Sequence, residues 1–400
     1  MKSPFDFNRK QVWIVSWYDF PFYEGTTARI KGLASTLGEN GIQATVLSPL
    51  FHRRRPPKSG EVPCNVQYVD LRLLGRFAVF SHNRTGKFLS TAIFWLAVFL
   101  WLLAISRVRP ILVQFEHTFS APPAVLLKPF GVKIVADDIH LSHRRMKSWM
   151  FSFVRIFELW ACKQSDAIVT SFRGDYSHLK SLFADKAYFV SNGINIPCPV
   201  ERSAERKSTL LFVGSMTVTE NQRAVEDLLD IAQQLYERRR DFEVYIVGGP
   251  LSVIDQLTKH DTVSKGIVKF LGFVSDFTLK DMFRKSQLGL LPYFGETTHT
   301  SQRIKALEYF AYGLTVISSP QGVGGIVEIK DGVHVLLASS KAEMVRILDR
   351  CLSQKRWADQ IAMAGRELIA NRYSWSTISK GYIQLLLRLT NGSSDNIRAG

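Results

Sequence analysis

Short apolar runs alternate with helix-length amphipathic stretches along the chain, opening with QVWIVSW, TARIKGLASTLGENG and IQATVLS. Near-continuous apolar runs are buried on both faces, and helical segments between them give the βαβ rhythm of a parallel sheet. The series continues through VQYVDL, a long apolar segment, ILVQF, a helix from about Ala121, KIVADD, a helix from about Ser142 to Lys163, AIVTS and AYFVS. This predicts a doubly wound domain that ends near Asn192, within residues 1–200. The segment Ile196 to Ser208, with Pro197, Pro199 and several charges, reads as a linker. A second series follows in residues 201–374: TLLFVGS, a helix from about Asn221 to Arg238, FEVYIVGG, IVKFLGF, a helix from Leu279 to Lys285, LGLLPY and VHVLLA. Closing helices reach Leu389, and NGSSDNIRAG over 391–400 reads as a frayed tail.

The stretch Gln302 to Ile326, QRIKALEYFAYGLTVISSPQGVGGI, combines an amphipathic helix, a tight turn, a buried strand and a glycine-rich loop. In an open parallel sheet, ligands bind beyond the carboxyl ends of the strands, so this order predicts a nucleotide-type site. Lys305 and Glu308 are three residues apart and share one face of the predicted helix. Gly322, Gly324 and Gly325 are expected to offer unobstructed backbone N–H groups. In the first strand-to-helix loop, FYEGTTAR, Gly25 allows close approach, and Thr26, Thr27 and Arg29 are candidates to meet a phosphate or an acceptor.

Phe88 to Ile105, FLSTAIFWLAVFLWLLAI, runs eighteen residues without a charge. As a helix it would reach ~27 Å, nearly a bilayer core. It lies between the third and fourth predicted strands, so spanning would put strands of one sheet on opposite sides of a membrane. An interfacial helix with Trp95 and Trp101 near headgroup depth is the preferred reading, and a helix buried in the protein is the other. Charge favours the first. The net charge is +16, and residues 1–200 hold 25 Lys and Arg against 13 Asp and Glu. Arg53, Arg54, Arg55, Lys58, Arg84, Lys87, Arg107 and Arg109 surround the apolar run, and Arg144, Arg145, Lys147, Trp149 and Phe151 repeat the mixture. No nucleic-acid-binding motif accompanies the charge, so a nucleic-acid partner is not expected. Cys64, Cys162, Cys198 and Cys351 have neither metal-ligand nor disulfide spacing, and the first residues lack the pattern of a signal peptide. A reducing, cytosolic setting is the expectation.

Taken together, LLFVGSM, FEVYIVGG, VKFLGFVSD, LGLLPY, RIKALEYFAYGLTVISSPQGVGGI and RYSW, with EGTTAR, QFEH, DAIVTS and VSNGI, resemble glycosyltransferases of the GT-B architecture. The closest pattern is the retaining family 4. The resemblance implies an α/β fold of two Rossmann-like doubly wound domains facing a central cleft. The N-terminal domain would take the acceptor and the C-terminal one a nucleotide sugar, and the helix over 375–390 would return to the N-terminal domain. In that family two glutamates eight apart contact the donor. Glu308 matches the second, Thr300 stands at the first, and Glu296 could approach the sugar instead. The loop after VGS lacks the Arg and Lys pair that often clamps the diphosphate in that family, so that Arg223 is its only nearby cation, and by the same analogy Phe273 borders the base.

Lys305 and the GSM of Gly214 to Met216 are also similar to membrane-associated glucuronosyltransferases of exopolysaccharide assembly, in which a matching Lys contacts donor phosphate. An ammonium there can neutralise a leaving diphosphate with no bound metal or other cofactor. Those enzymes invert configuration with an Asp after the fifth strand, where KIVADDIHLS places Asp137, Asp138 and His140, and Asp138 matches best. In family 4 a His after the fourth strand lies near the reacting sugar, and His117 holds that place. Stereochemistry stays open. The expectation is a hexosyltransferase, peripheral on the inner face of the cell membrane, acting on a lipid-linked or membrane-proximal acceptor. A nucleotide-sugar epimerase and an inactive sugar-nucleotide-binding protein are the alternatives.

Overall fold

The structure is a computed structural model that describes residues 11–16, 20, 26–50, 64–70, 84–106, 112–139, 141, 151–199, 208–295 and 304–391. It divides into two compact units, Met1–Asn192 with Trp375–Gly400, and Gly193–Ser374.

The first unit is built on seven parallel strands: β1 (Gln11–Ser16), β2 (Gln43–Leu50), β3 (Asn65–Asp70), β4 (Leu112–Glu116), β5 (Lys133–Asp137), β6 (Ala167–Thr170) and β7 (Ala187–Phe189). Their order is β3-β2-β1-β4-β5-β6-β7, so the chain winds outward in both directions from the β1/β4 pair. Helices α1 (Thr26–Glu39), α2 (Arg84–Ser106), α3 (Ala121–Val125), α4 (Phe151–Gln164) and α5 (Arg173–Leu182) connect them. One face of the sheet is covered by α2 to α5, through Phe94, Val98, Leu102, Ala124, Ala161 and Leu179. Both faces are thus dry, which is why the strands read as unbroken apolar runs.

The second unit has six parallel strands: β8 (Ser208–Val213), β9 (Phe242–Val247), β10 (Val268–Gly272), β11 (Leu288–Leu291), β12 (Thr315–Ser318) and β13 (Leu336–Leu337), in the order β10-β9-β8-β11-β12-β13. Its helices are α6 (Thr219–Tyr236), the short α7 (Asp255–Thr258) and α8 (Asp261–Ser264), α9 (Asp276–Lys285), α10 (Ile304–Ala311), α11 (Lys341–Ser353) and α12 (Lys355–Tyr373). The last helix, α13 (Trp375–Asn391), joins α1 on the other face of the first sheet, where Tyr382, Leu385 and Leu386 enter the core. Gly32 in α1 makes room for it: a Cβ there would lie 1.9 Å from the Trp375 indole.

Several element limits differ from the sequence reading. The helix expected from Ser142 is described only from Phe151, because residues 142–150 lie outside the described set. The apolar run VHVLLA supplies only the two-residue β13. Helix α9 starts at Asp276, three residues earlier than expected, because the Ser275 hydroxyl accepts from the Thr278 N–H and caps it. The apolar segment is the helix α2, and among the described residues no helix is long and apolar enough to cross a membrane.

Candidate functional site

In each unit the order of strands reverses at one point, between β1 and β4 in the first and between β8 and β11 in the second. The carboxyl ends of those strands form the crevice where open α/β sheets bind ligands.

In the second unit this place is organised by Lys305, from the first turn of α10. Its Nζ donates to Tyr293 Oη at 2.8 Å and to Asn221 Oδ1 at 3.0 Å. The Tyr293 hydroxyl donates to the same Asn221 oxygen at 2.8 Å, and Asn221 Nδ2 donates to the Ser215 carbonyl at 2.8 Å. The ammonium also lies 5.0 Å from the Phe212 ring centroid. A Cβ on Gly214 would come within 2.9 Å of Lys305 Nζ, so the loop after β8 lies directly against the cation. The neighbouring strand end is equally close. Gly248 has φ 129°, and a Cβ there would meet the Gly214 carbonyl oxygen at 1.9 Å, so only glycine fits. Arg223 is exposed on α6 and lines a hollow with Glu220, Pro292, Tyr293 and Gly295.

Other expected donor residues fall differently. Met216 has its side chain fully in the core, and its N–H donates to the Gly249 carbonyl. Ser215 Oγ lies 2.9 Å from Thr217 Oγ1. Phe273 is exposed and covers Gly249 with its ring. Glu308 is half-buried one turn along α10 from Lys305. The glycine loop does not offer the open row of amides that the sequence suggested. Pro320–Val323 is a 3₁₀ turn, in which the Gly322 N–H donates to Ser319 O and the Gly324 N–H to Gln321 O. Gly325 holds φ 91°. Glu296 and Thr300 lie outside the described residues.

In the first unit, β4 and β5 pair so that Glu116 is opposite Asp137. The next residue on each strand is one of the two rival catalytic candidates, His117 and Asp138. They are the only non-glycine residues with positive φ among the described residues, at 69° and 48°. Such strain persists only where the surroundings enforce it, and it gathers at functional sites. His117 Nδ1 accepts from the Phe119 N–H at 3.3 Å, and its ring stacks on Phe119. A neutral ring assigned from that bond carries its proton on Nε2. Half-buried Asp138 accepts a 2.6 Å hydrogen bond from Ser171 Oγ.

Behind this edge lies a buried polar network that the sequence did not reveal. Arg29 is fully buried, with Nε and Nη2 gripping both oxygens of Asp137 at 2.9 and 2.8 Å. Its Nη1 donates to Val190 O, Ser191 O and Asn192 Oδ1. Arg29 is thus engaged inside the unit, which corrects its assignment to an open phosphate or acceptor loop. Burial alone would lower its pKa, but the charge and hydrogen bonds of Asp137 outweigh this and raise it. Gln114 Nε2 bridges Asp137 and Glu116 at 3.0 and 2.9 Å, and the Tyr382 hydroxyl of α13 donates to Gln114. Glu116 is fully buried, and among the described residues no donor reaches its Oε2. Burial, then the charges of Asp137 and Asp138, push this carboxyl well above the usual range. Thr27 is buried, Thr26 opens α1, and Gly25 and His140 lie outside the described residues.

Residues 207–354 match the family model described as Glycosyl transferases group 1. Over 175 residues the chain is 29% identical to an uncharacterized glycosyltransferase of Methanocaldococcus jannaschii, and the match covers 43% of this chain and 42% of that protein. The chain therefore spans less than half the length of this curated relative. The fold is similar to sucrose-phosphate synthase from Thermosynechococcus elongatus, with TM-score 0.71 and 16% identity over 96% of this chain and 100% of that one. It is also similar to HepE of Anabaena in complex with UDP and glucose, with TM-score 0.67 and 13% identity over 94% and 99%. The chain has the two-sheet GT-B fold, and its second sheet lies within the segment that matches the group 1 glycosyltransferases.

Proposed function

We propose that the protein transfers a sugar from a nucleotide-sugar donor to a lipid-linked or membrane-proximal acceptor, as a family 4-like hexosyltransferase of polysaccharide or glycolipid assembly. The single observation that carries this reading is Lys305, held at the strand reversal of the second unit by Asn221 and Tyr293. Both of these partners are neutral, and they fix the position of the ammonium. A cation held in advance stabilises the charge that develops on a leaving diphosphate, and needs no metal to do so. Gly214 and Gly248 leave the backbone beside it bare of side chains, and Arg223 lines a hollow beside Tyr293, together with Glu220 and Asp227. The group 1 match of residues 207–354, and the likeness to a protein solved with UDP and glucose, support the same assignment.

The first unit would take the acceptor. In an inverting course Asp138 is the general base: it removes the acceptor hydroxyl proton as that oxygen bonds to the anomeric carbon, while the bond from that carbon to the diphosphate breaks. Attack opposite the leaving group inverts configuration. His117 is the group that acts if the reaction retains configuration. The protein would work at the inner face of the cell membrane, as a peripheral enzyme.

Calorimetric titration of the full chain with UDP, GDP and ADP tests the donor assignment. At least one diphosphate should bind, and Lys305→Ala should weaken it about ten- to a hundredfold, the worth of a charged hydrogen bond. Equal affinities would remove Lys305 from the site.

A further inference from the structure

On the sheet face covered by α2 to α5, apolar side chains point both ways. Helix α4 fills the core with Val154, Ala161 and Cys162, yet Phe153 and Ile156 are 65% and 70% exposed and Trp160 is 36% exposed. Helix α2 buries Phe94, Val98 and Leu102, while Leu96 and Leu100 are 59% and 54% exposed and Trp101 is 36% exposed. Between them α3 packs on both helices and leaves Leu126 exposed beside it. The outer side chains form an apolar face that the fold itself does not use, and a face of this kind marks an interaction site. Trp95 does not belong to it, because its indole N–H donates inward to the Phe119 carbonyl at 2.8 Å.

The charge of the region selects the occupant. Among the described side chains of residues 84–164, the cations Lys128, Lys133, Arg155 and Lys163 are exposed or half-buried, whereas the carboxylates Glu116, Asp137 and Glu158 are fully buried and Asp138 is half-buried. Arg155 and Lys163 are exposed on α4, at the border of its apolar stripe. A second copy packed on the face by a two-fold axis would bring Arg155 and Lys163 against the same cations of the other copy. An anionic lipid surface satisfies both features: apolar side chains enter the acyl boundary, two tryptophans sit at the interface and these cations meet the headgroups. We infer that the outer face of α2, α3 and α4 docks on an anionic lipid bilayer as a monotopic surface.

The same face is wired to the strand edge. Trp160 lies 5.6 Å from Phe157, Phe157 5.5 Å from Phe119, and Phe119 5.3 Å from His117, centroid to centroid. Docking would set the bilayer three ring contacts from the end of β4. This part of the inference rests on the proposed acceptor site, and it explains how a lipid-borne acceptor reaches that site without leaving the membrane.

The test is sedimentation of the full chain with vesicles of phosphatidylcholine alone or mixed with phosphatidylglycerol. Wild type should sediment with the mixed vesicles, and a Leu100→Ser, Trp101→Ser, Ile156→Ser triple variant should bind them at least about tenfold more weakly. Nucleoside diphosphate titration of that variant should match wild type, which shows that it is folded. In wild type, brominated acyl chains should quench tryptophan fluorescence, less so after Trp101→Phe and Trp160→Phe. Equal sedimentation of the triple variant, no binding of wild type to mixed vesicles, or a wild-type dimer that the triple variant converts to monomer would each overturn the inference. A failed nucleotide titration would sink the donor assignment and leave the vesicle result standing.

Discussion

His117 and Asp138 both hold a left-handed backbone at the ends of neighbouring strands, and that shared strain separates them from other polar strand-end residues. If Asp138 is the base, Asp138→Asn should leave nucleotide binding and fold intact and lower kcat about 10²- to 10⁴-fold, which a transfer assay at saturating donor would read. Full activity in that variant, with loss in His117→Ala, would favour the retaining course. The buried network behind them makes two stability predictions. Arg29→Met leaves Asp137 buried without its cation and should cost about 3–5 kcal/mol in denaturant unfolding. Glu116 binds its proton more tightly folded than unfolded, so its contribution to stability is full at acid pH and declines as pH rises above the ordinary glutamate value. Glu116→Gln has no proton to lose, so its stability relative to wild type should be greater at pH 8 than at pH 5. At this scale the sequence singled out Lys305, His117 and Asp138 because each follows a recognisable strand or opens a helix. It did not foresee the burial of Arg29, whose partner Asp137 is 108 residues away, and passed over Asn221 and Tyr293, which meet Lys305 only because β8 and β11 are neighbours.

Among the elements, the strands were the easiest to read, since burial on both faces leaves no polar interruption in runs such as β5 and β8. The turns that shape the site were harder. The glycine loop after β12 looked like a row of open amides, but two of its N–H groups close a 3₁₀ turn, a choice made by backbone geometry rather than composition. Gly248 gave no such signal, although it sits where β9 crowds the loop after β8. Gly248→Ala should destabilise the second unit by at least about 1–3 kcal/mol from backbone strain, and should abolish nucleoside diphosphate binding in calorimetry. Unchanged binding would show that the close approach of Gly248 to Gly214 is not part of the site.

For the molecule as a whole, two doubly wound units were evident from the alternating pattern, and the change of unit falls at Asn192/Gly193 and again at Ser374/Trp375. The excess positive charge of residues 1–200 was visible in composition, but its meaning depended on where the apolar side chains faced, which periodicity in an all-apolar helix cannot tell. The central claim is sugar transfer from a nucleotide donor to a lipid-borne acceptor. The direct measurement is incubation of the full chain with anionic membrane lipid extract and a panel of radiolabelled nucleotide sugars, followed by extraction of the lipid. At least one donor should pass label to lipid in wild type, with the transfer lost in Lys305→Ala. Label that stays in water with every donor, or a sugar that is only isomerised, would contradict the account.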